Sequence, residues 1–274
     1  MAPTTRPSSS ARRTRSPLVL RPADDPAGSR RGSLNGYTPV RFQVMSTAAE
    51  DHLPSGYSLR LMTQRDYSGV SAIRASVYPT ELPYTSQELA AHHRVFPEGQ
   101  FVVQHDATGS VAGAHFTLLL LLRLFHLDDS WDTLTAGGSF ADHDPCGHTL
   151  YGADLFVHPG HQHHGIGRAL TVAARELVRA RSLWRMVGGS RMPGYGKLAT
   201  QIAPDDYIEK VKSGELTDPV LTVHLRDGWD AITAIRGYLP HDAESAGWAA
   251  VIQWLNPACP PPPEFEVTRM PRRG

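Results

Sequence analysis

The segment VHPGHQHHGIGRAL, residues 157–170, limits most tightly what this chain can fold into. Ahead of it, HTLYGADLFVH (148–158) is a run of strand-forming residues. After it, Ile166, Ala169, Leu170, Ala173, Ala174, Leu177 and Val178 recur at the i, i+3, i+4, i+7 spacing of one buried helix face, with Arg168, Arg175, Glu176 and Arg179 falling elsewhere. SLWRMVGG (182–189) reads as a further strand. Strand, glycine turn, helix, strand is an α/β unit, and its ligand end is the turn.

Four histidines (158, 161, 163 and 164) suggest a metal site, whereas two glycines suggest a phosphate cradle. A helix that starts directly after a turn leaves its first backbone N–H groups without partners. An anion supplies both acceptors and the charge that the helix dipole favours there. Gly165 and Gly167 let backbone come close, and no carboxylate or cysteine backs the histidines at ligand spacing. Asp142, His143, Asp144 and His148 are ligand types as well, but their spacing is that of a polar loop. The expected metal content is none. The loop fits neither GxxxxGK followed by Ser or Thr nor GxGxxG. It fits QxxGxG, as Gln162, Gly165 and Gly167.

The remaining chain alternates in the same way. Strands are expected at 57–63, 100–106 and 110–122, the last two joined by a turn at 107–109. Helices are expected over 64–77 and 86–95, with a short one in the polar insertion near 127–148. LLLLLRLF (118–125) is far shorter than the roughly 20 apolar residues a membrane span needs, and reads as a buried strand. Residues 1–44 carry eight arginines against Asp24 and Asp25, with few large apolar groups, so they cannot bury enough surface to fold. An Arg-rich, Ser-rich transit peptide has that composition, but the prolines interrupt any amphipathic helix. Met45 followed by STAAED reads as an ordinary start. The expected organisation is a basic tail at 1–50, one domain at 51–255 and a proline-rich tail at 256–274. Basic and acidic residues balance at 27 each, which argues against nucleic-acid binding. Two cysteines, Cys146 and Cys259, give no disulfide framework and suit a cytoplasmic setting.

With Val157 and Pro159 ahead of QxxGxG and an amphipathic helix behind it, the chain resembles the GNAT superfamily of N-acetyltransferases over about residues 57–255. The resemblance is closest to the acetyltransferase-like domain that precedes carbon–nitrogen hydrolase domains. FPEGQFVV (96–103), HDPCGHTLYGAD (143–154), RMPGY (191–195), LTDPVL (216–221) and GYLPHDAESAGW (237–248) carry it. It implies an α/β (α+β) fold with a mixed, mostly antiparallel sheet of six to seven strands flanked by helices. Acetyl-CoA, or another acyl-CoA, is the implied co-substrate. A small-molecule or peptide amine is the implied acceptor, with no nucleic acid, no membrane and a homodimer left open. The implied coenzyme contacts are Leu155, Phe156, Val157, Gln162, His163, His164, Gly165, Ile166, Gly167 and Arg168, largely through backbone amides. One amide at Leu155, Phe156 or Val157 would polarise the acyl carbonyl.

An ammonium must lose a proton before it attacks. Asp154, an acid in an apolar strand just ahead of the loop, is the candidate base. Tyr151 stands where some family members carry a catalytic glutamate, and serves only through water because a phenol titrates near about 10. Where the family has a tyrosine four residues before Gly-Phe, this chain has His224 ahead of Gly228 and Trp229, so His224 is the candidate acid. Arg191 and Tyr195 are expected to line the acceptor pocket and bind an acidic group. A non-catalytic acyl-CoA-binding module that partners an amidase or nitrilase-like enzyme is the alternative.

Overall fold

A computed structural model describes residues 47–79, 81–121 and 130–263. Seven strands form one sheet in the order β1-β2-β3-β4-β5-β7-β6. They are β1 (Tyr57–Leu61), β2 (Gln100–His105), β3 (Ser110–Leu120), β4 (Thr149–Val157), β5 (Arg185–Arg191), β6 (Asp230–Arg236) and β7 (Trp248–Leu255). Only the β4–β5 pair is parallel, as the α/β unit around the glycine loop requires; the other neighbours run antiparallel. The sheet is thus mixed and mostly antiparallel, as expected.

Helices cover both faces. On one lie α2 (Tyr67–Val77), α3 (Ser86–Val95) and α4 (Trp131–Thr135), packing Val70, Ile73, Leu89 and Leu134 against Phe116, Tyr151 and Val187. On the other lie α5 (Ile166–Ala180), α6 (Pro204–Lys212) and α7 (Leu221–Arg226), packing Leu170, Ala174, Tyr207 and Leu221 against Leu150, Met186 and Ile252. The α3 helix starts where the sequence placed it because Thr85 and Glu88 form a reciprocal capping box.

Some boundaries move. A short helix, α1 (Thr47–Glu50), buries Ala49 in the α5-side core, so packing starts inside the segment assigned to the basic tail. Asn256, assigned to the proline tail, is buried and its side chain donates to the Leu183 carbonyl at 2.8 Å. The strand predicted from 182 begins at Arg185. Ser182 takes a left-handed φ of 52° to leave α5, so its neighbours turn before they extend. β3 ends at Leu120 and Leu121 is exposed; the rest of the apolar run, from residue 122, and most of both tails lie outside the described residues. No helix among the described residues is long and apolar enough to cross a membrane.

Two irregularities position the site. β4 and β5 pair only from Thr149↔Arg185 to Gly152↔Gly188, and beyond that point both continue without pairing to each other. Amides of a strand alternate in direction, so those of β4 past Gly152 that point away from β3 have no strand to bond. Against β3, Phe116 pairs with Asp154 and Thr117 with Gly152, which leaves Ala153 as an extra residue. This bulge breaks the alternation of β4. Tyr151, Ala153 and Phe156 face the α2 side, Leu155 and Val157 face the α5 side, and Asp154 turns to the α2 side with Ala153.

Candidate active site

Where β4 and β5 part, a cavity of about 460 Å³ passes along the free edge of β4. Its walls include Gly152 to Val157, Gln162 and His163 from β4 and its loop, and Gly188, Gly189 and Arg191 from β5. His115, His224 and Trp229 line it on the α5 side, and Arg74, Trp131 and Tyr238 on the α2 side.

Gln162 and His163 belong to the loop that leads into α5. Gly165 is the N-cap of that helix with φ 76°, and among the described residues no side chain caps it, so its first amides are left to an outside acceptor. A Cβ at Gly165 would lie 2.3 Å from the His52 carbonyl oxygen, so both conformation and space demand glycine there. Gly167 differs: a Cβ would meet only the side chains of Leu155 and Val157, at 3.8 and 3.9 Å. The Gln162 side chain reaches back to the Val157 carbonyl at 3.5 Å, while the Arg168 side chain is exposed and lies 3.8 Å from Asp227.

The histidines of the loop hold the loop itself. His158 Nδ1 accepts from the Gly160 amide at 3.0 Å, His164 Nδ1 donates to the His161 carbonyl at 3.2 Å, and His161 bonds Tyr57 at 2.9 Å. His163 takes a left-handed φ of 65° in the turn. Among the described residues no group of three or more His, Cys, Asp or Glu is arranged to hold a metal ion. In the insertion, His143 Nδ1 accepts from the Leu119 amide at 3.1 Å and its ring stacks on Phe96.

Asp154 reaches the cavity from the bulge. Its carboxylate accepts from Arg74 Nε at 3.2 Å and from the Tyr84 hydroxyl at 3.1 Å, and Arg74 also bonds Glu81 at 2.9 Å. Burial raises the Asp154 carboxyl, and although Arg74 pulls it back, it stands at about 6. It is therefore ionised at neutral pH yet basic enough to take a proton. Its pairing with an arginine and its place on the cavity wall coexist.

Tyr151 is fully buried behind this wall, and its hydroxyl bonds that of Tyr238, which does line the cavity. Burial holds the Tyr151 phenol well above its usual range. Tyr151 thus reaches the cavity only through Tyr238.

His224 lies on the opposite face from Asp154, with Nδ1 2.9 Å from Ser190 Oγ. The Ser190 hydroxyl also lies 3.1 Å from the Arg191 carbonyl; when it donates there, the hydrogen shared with His224 comes from Nδ1. In that tautomer Nε2 is a lone pair. Burial and the nearby Arg175 push the imidazole down to about 4, while Asp218 opposes weakly. At neutral pH the ring is neutral, and in that tautomer it takes a proton at Nε2 before it can give one.

Arg191 lines the cavity, but its guanidinium is occupied. It forks onto both oxygens of Asp242 at 2.7 Å and touches Glu244 at 3.0 Å, which leaves little capacity for an acidic group on a substrate. Tyr195 is in the core, 2% exposed, donating to the Ile202 carbonyl and packed on Tyr207; the cavity does not reach it. The expectation that it contacts an acceptor fails because the turn after β5 folds inward.

Sequence reasoning passed over Arg74, Tyr84, Tyr238, Ser190 and His115. Arg74 did leave a signal: it sits in the buried stripe of α2 with Val70, Ile73 and Val77, where a charge needs a partner.

This sheet, its forked parallel pair and the helix that starts beside the fork have the GNAT fold, and the chain belongs to the acetyltransferase (GNAT) family. A sequence profile of that family matches residues 73–188. The uncharacterized N-acetyltransferase YkwB of Bacillus subtilis is 35% identical over 179 residues, 65% of this chain and 78% of that protein. The probable hydrolase YhcX of the same organism is 29% identical over 198 residues, 72% of this chain; the chain spans 38% of YhcX. Among solved structures, the GphF GNAT-like decarboxylase in complex with isobutyryl-CoA is similar with a TM-score of 0.61 and 25% identity, covering 72% of this chain and 98% of that one.

Proposed function

We propose that the protein is an acyl-CoA-dependent N-acyltransferase that moves the acyl group directly from the thioester to an amine of a small molecule or peptide. One observation carries the reading: a single cavity joins Gln162 and His163 of the loop that leads into α5, the unpaired edge of β4 and, across the sheet from each other, Asp154 and His224. In this reading the coenzyme pyrophosphate rests on amides at Gly165 to Arg168, with Gln162, His163 and His164 at the rim. The pantetheine arm follows Val157, Phe156 and Leu155, and one free amide of that edge polarises the acyl carbonyl.

The proton inventory assigns the two flanking groups. An acceptor ammonium must lose two protons to become an amide. Asp154 takes the first, which frees the amine to attack. His224 takes the second from the tetrahedral adduct through its Nε2 lone pair and passes it to the leaving sulfur. Arg74 and Tyr84 hold the carboxylate in place, and positioning of the two reactants supplies much of the rate.

Thiol release from acetyl-CoA, followed with a colorimetric reagent across a panel of amines, tests this. Release that depends on an amine supports the acyltransferase. Tight coenzyme binding with no release, for longer acyl groups as well, supports a non-catalytic acyl-CoA module that partners an amidase. A malonyl-CoA arm without amine covers a second reading suggested by the decarboxylase relative. The α5-side wall offers Met186, Ile252 and a neutral imidazole, and a carboxylate desolvated there favours its own loss. Acetyl-CoA formation in that arm would select it.

A further inference from the structure

We propose that His115 is a second imidazole on the proton path, sharing with His224 the proton that travels from the attacking amine to the leaving sulfur. The proposal rests on the acyltransferase reading of the cleft. His115 occupies the middle of β3, opposite Leu155, flanked by buried Ala114 and Phe116. It is 3% exposed, in a place where leucine would fill the same space without a polar group to satisfy. Its Nδ1 lies 3.3 Å from the Leu170 carbonyl of α5. A carbonyl only accepts, so Nδ1 carries the ring proton and Nε2 is a lone pair.

That lone pair sits at the fork. Gly152 is the last β4 residue paired with β5, and a Cβ added to it would stand 3.2 Å from His115 Nε2. Both histidines line the same cavity on the α5 face of the sheet; the Leu170 carbonyl fixes the His115 proton on Nδ1, and Ser190 Oγ lies 2.9 Å from Nδ1 of His224. Burial pushes His115 as well to about 4, and His224 pushes it the same way, so charge on one ring disfavours charge on the other.

The Leu170 carbonyl of α5 meets His115 Nδ1, and the cavity wall on this side also carries His224 of α7, Thr171 of α5 and Met186 of β5; Asp154 of β4 turns to the other face. In the step, an N–H bond of the tetrahedral adduct breaks and its proton passes to Nε2 of the pair. The C–S bond then breaks with its electrons on sulfur, the sulfur takes that proton, and both imidazoles return neutral.

His115→Asn tests this, because its amide nitrogen still donates to the Leu170 carbonyl while the Nε2 position is lost. The expected result is a drop of about 10²–10³-fold in kcat/KM, with coenzyme affinity by calorimetry within about threefold of the wild type. The double variant with His224→Asn should lose far less than the product of the two single losses. Turnover within about threefold of the wild type, or affinity falling in step with turnover, would overturn the proposal. A measurement on the unaltered protein stands beside it: ¹⁵N–¹H correlation spectra should show His115 neutral with its proton on Nδ1 at pH 6.5. A proton on Nε2 would overturn the proposal even if His115→Asn fails to fold. If the wild type releases no thiol with any amine, the acyltransferase reading itself has failed, and the tautomer spectrum separates that failure from this one.

Discussion

The two glycines of the loop look alike in the sequence, yet the structure gives them unequal tasks, and Gly165→Ala and Gly167→Ala should separate accordingly. At Gly165, φ 76° places an alanine in the left-handed region at a cost of roughly 1–2 kcal/mol. The added Cβ also meets the His52 carbonyl oxygen at 2.3 Å, and because both sides are backbone the loop must move. Movement withdraws amides from the proposed phosphate site, and losing one charge-assisted hydrogen bond there costs about 1.5–3 kcal/mol. Coenzyme A affinity should therefore fall about 10- to 100-fold. At Gly167 the added Cβ finds only ordinary contacts at 3.8 and 3.9 Å, and alanine is the better helix former by up to about 1 kcal/mol. Affinity should stay within about threefold, and the melting temperature should hold or rise by about 2–4 °C. Isothermal titration with coenzyme A and a thermal melt on each variant measure both quantities. Equal loss of affinity in the two variants, or normal affinity in Gly165→Ala, would show that the backbone argument is wrong.

Three further outcomes follow from the buried network. With a saturating acceptor, kcat should rise with pH through about 6, where Asp154 ionises, and then level off. Asp154→Asn should remove that limb and lower kcat by about 10²-fold or more; an unchanged limb assigns it to another group. Arg74→Met leaves Asp154 buried without its cation, so the limb should move to higher pH and stability should fall by about 3–5 kcal/mol, read by urea unfolding. Because burial already raises Asp154 from 3.8 to about 6, the native state binds the extra proton between those values. This group's contribution to stability therefore falls as pH rises through that window, a slope that should vanish in Asp154→Asn.

Much of the proposed coenzyme end was legible because it depends on short-range rules. A 3.6-residue period marks α5, and QxxGxG marks its start. The acceptor end was not, because it is assembled across the chain: Arg74 and Tyr84 meet Asp154 from 80 and 70 residues away. No local pattern announces the Ala153 bulge, yet it decides that Asp154 faces Arg74. Tyr195 was misplaced because a turn residue reads as exposed in sequence, while here it packs on Tyr207. His115 had the same mark that singled out Asp154, a titratable residue in an apolar strand, and only the fold shows that both end at one cavity.

A structure of the protein with coenzyme A bound would decide whether the fork is a coenzyme site. The expected complex has the pyrophosphate on the amides of Gly165 to Arg168 and the pantetheine arm along Leu155 to Val157. The sulfur should lie in the opening beyond Gly152 and Gly188, with Asp154 on one side and His224 on the other. Coenzyme bound elsewhere, or a sulfur that reaches neither residue, would contradict this assignment of the site.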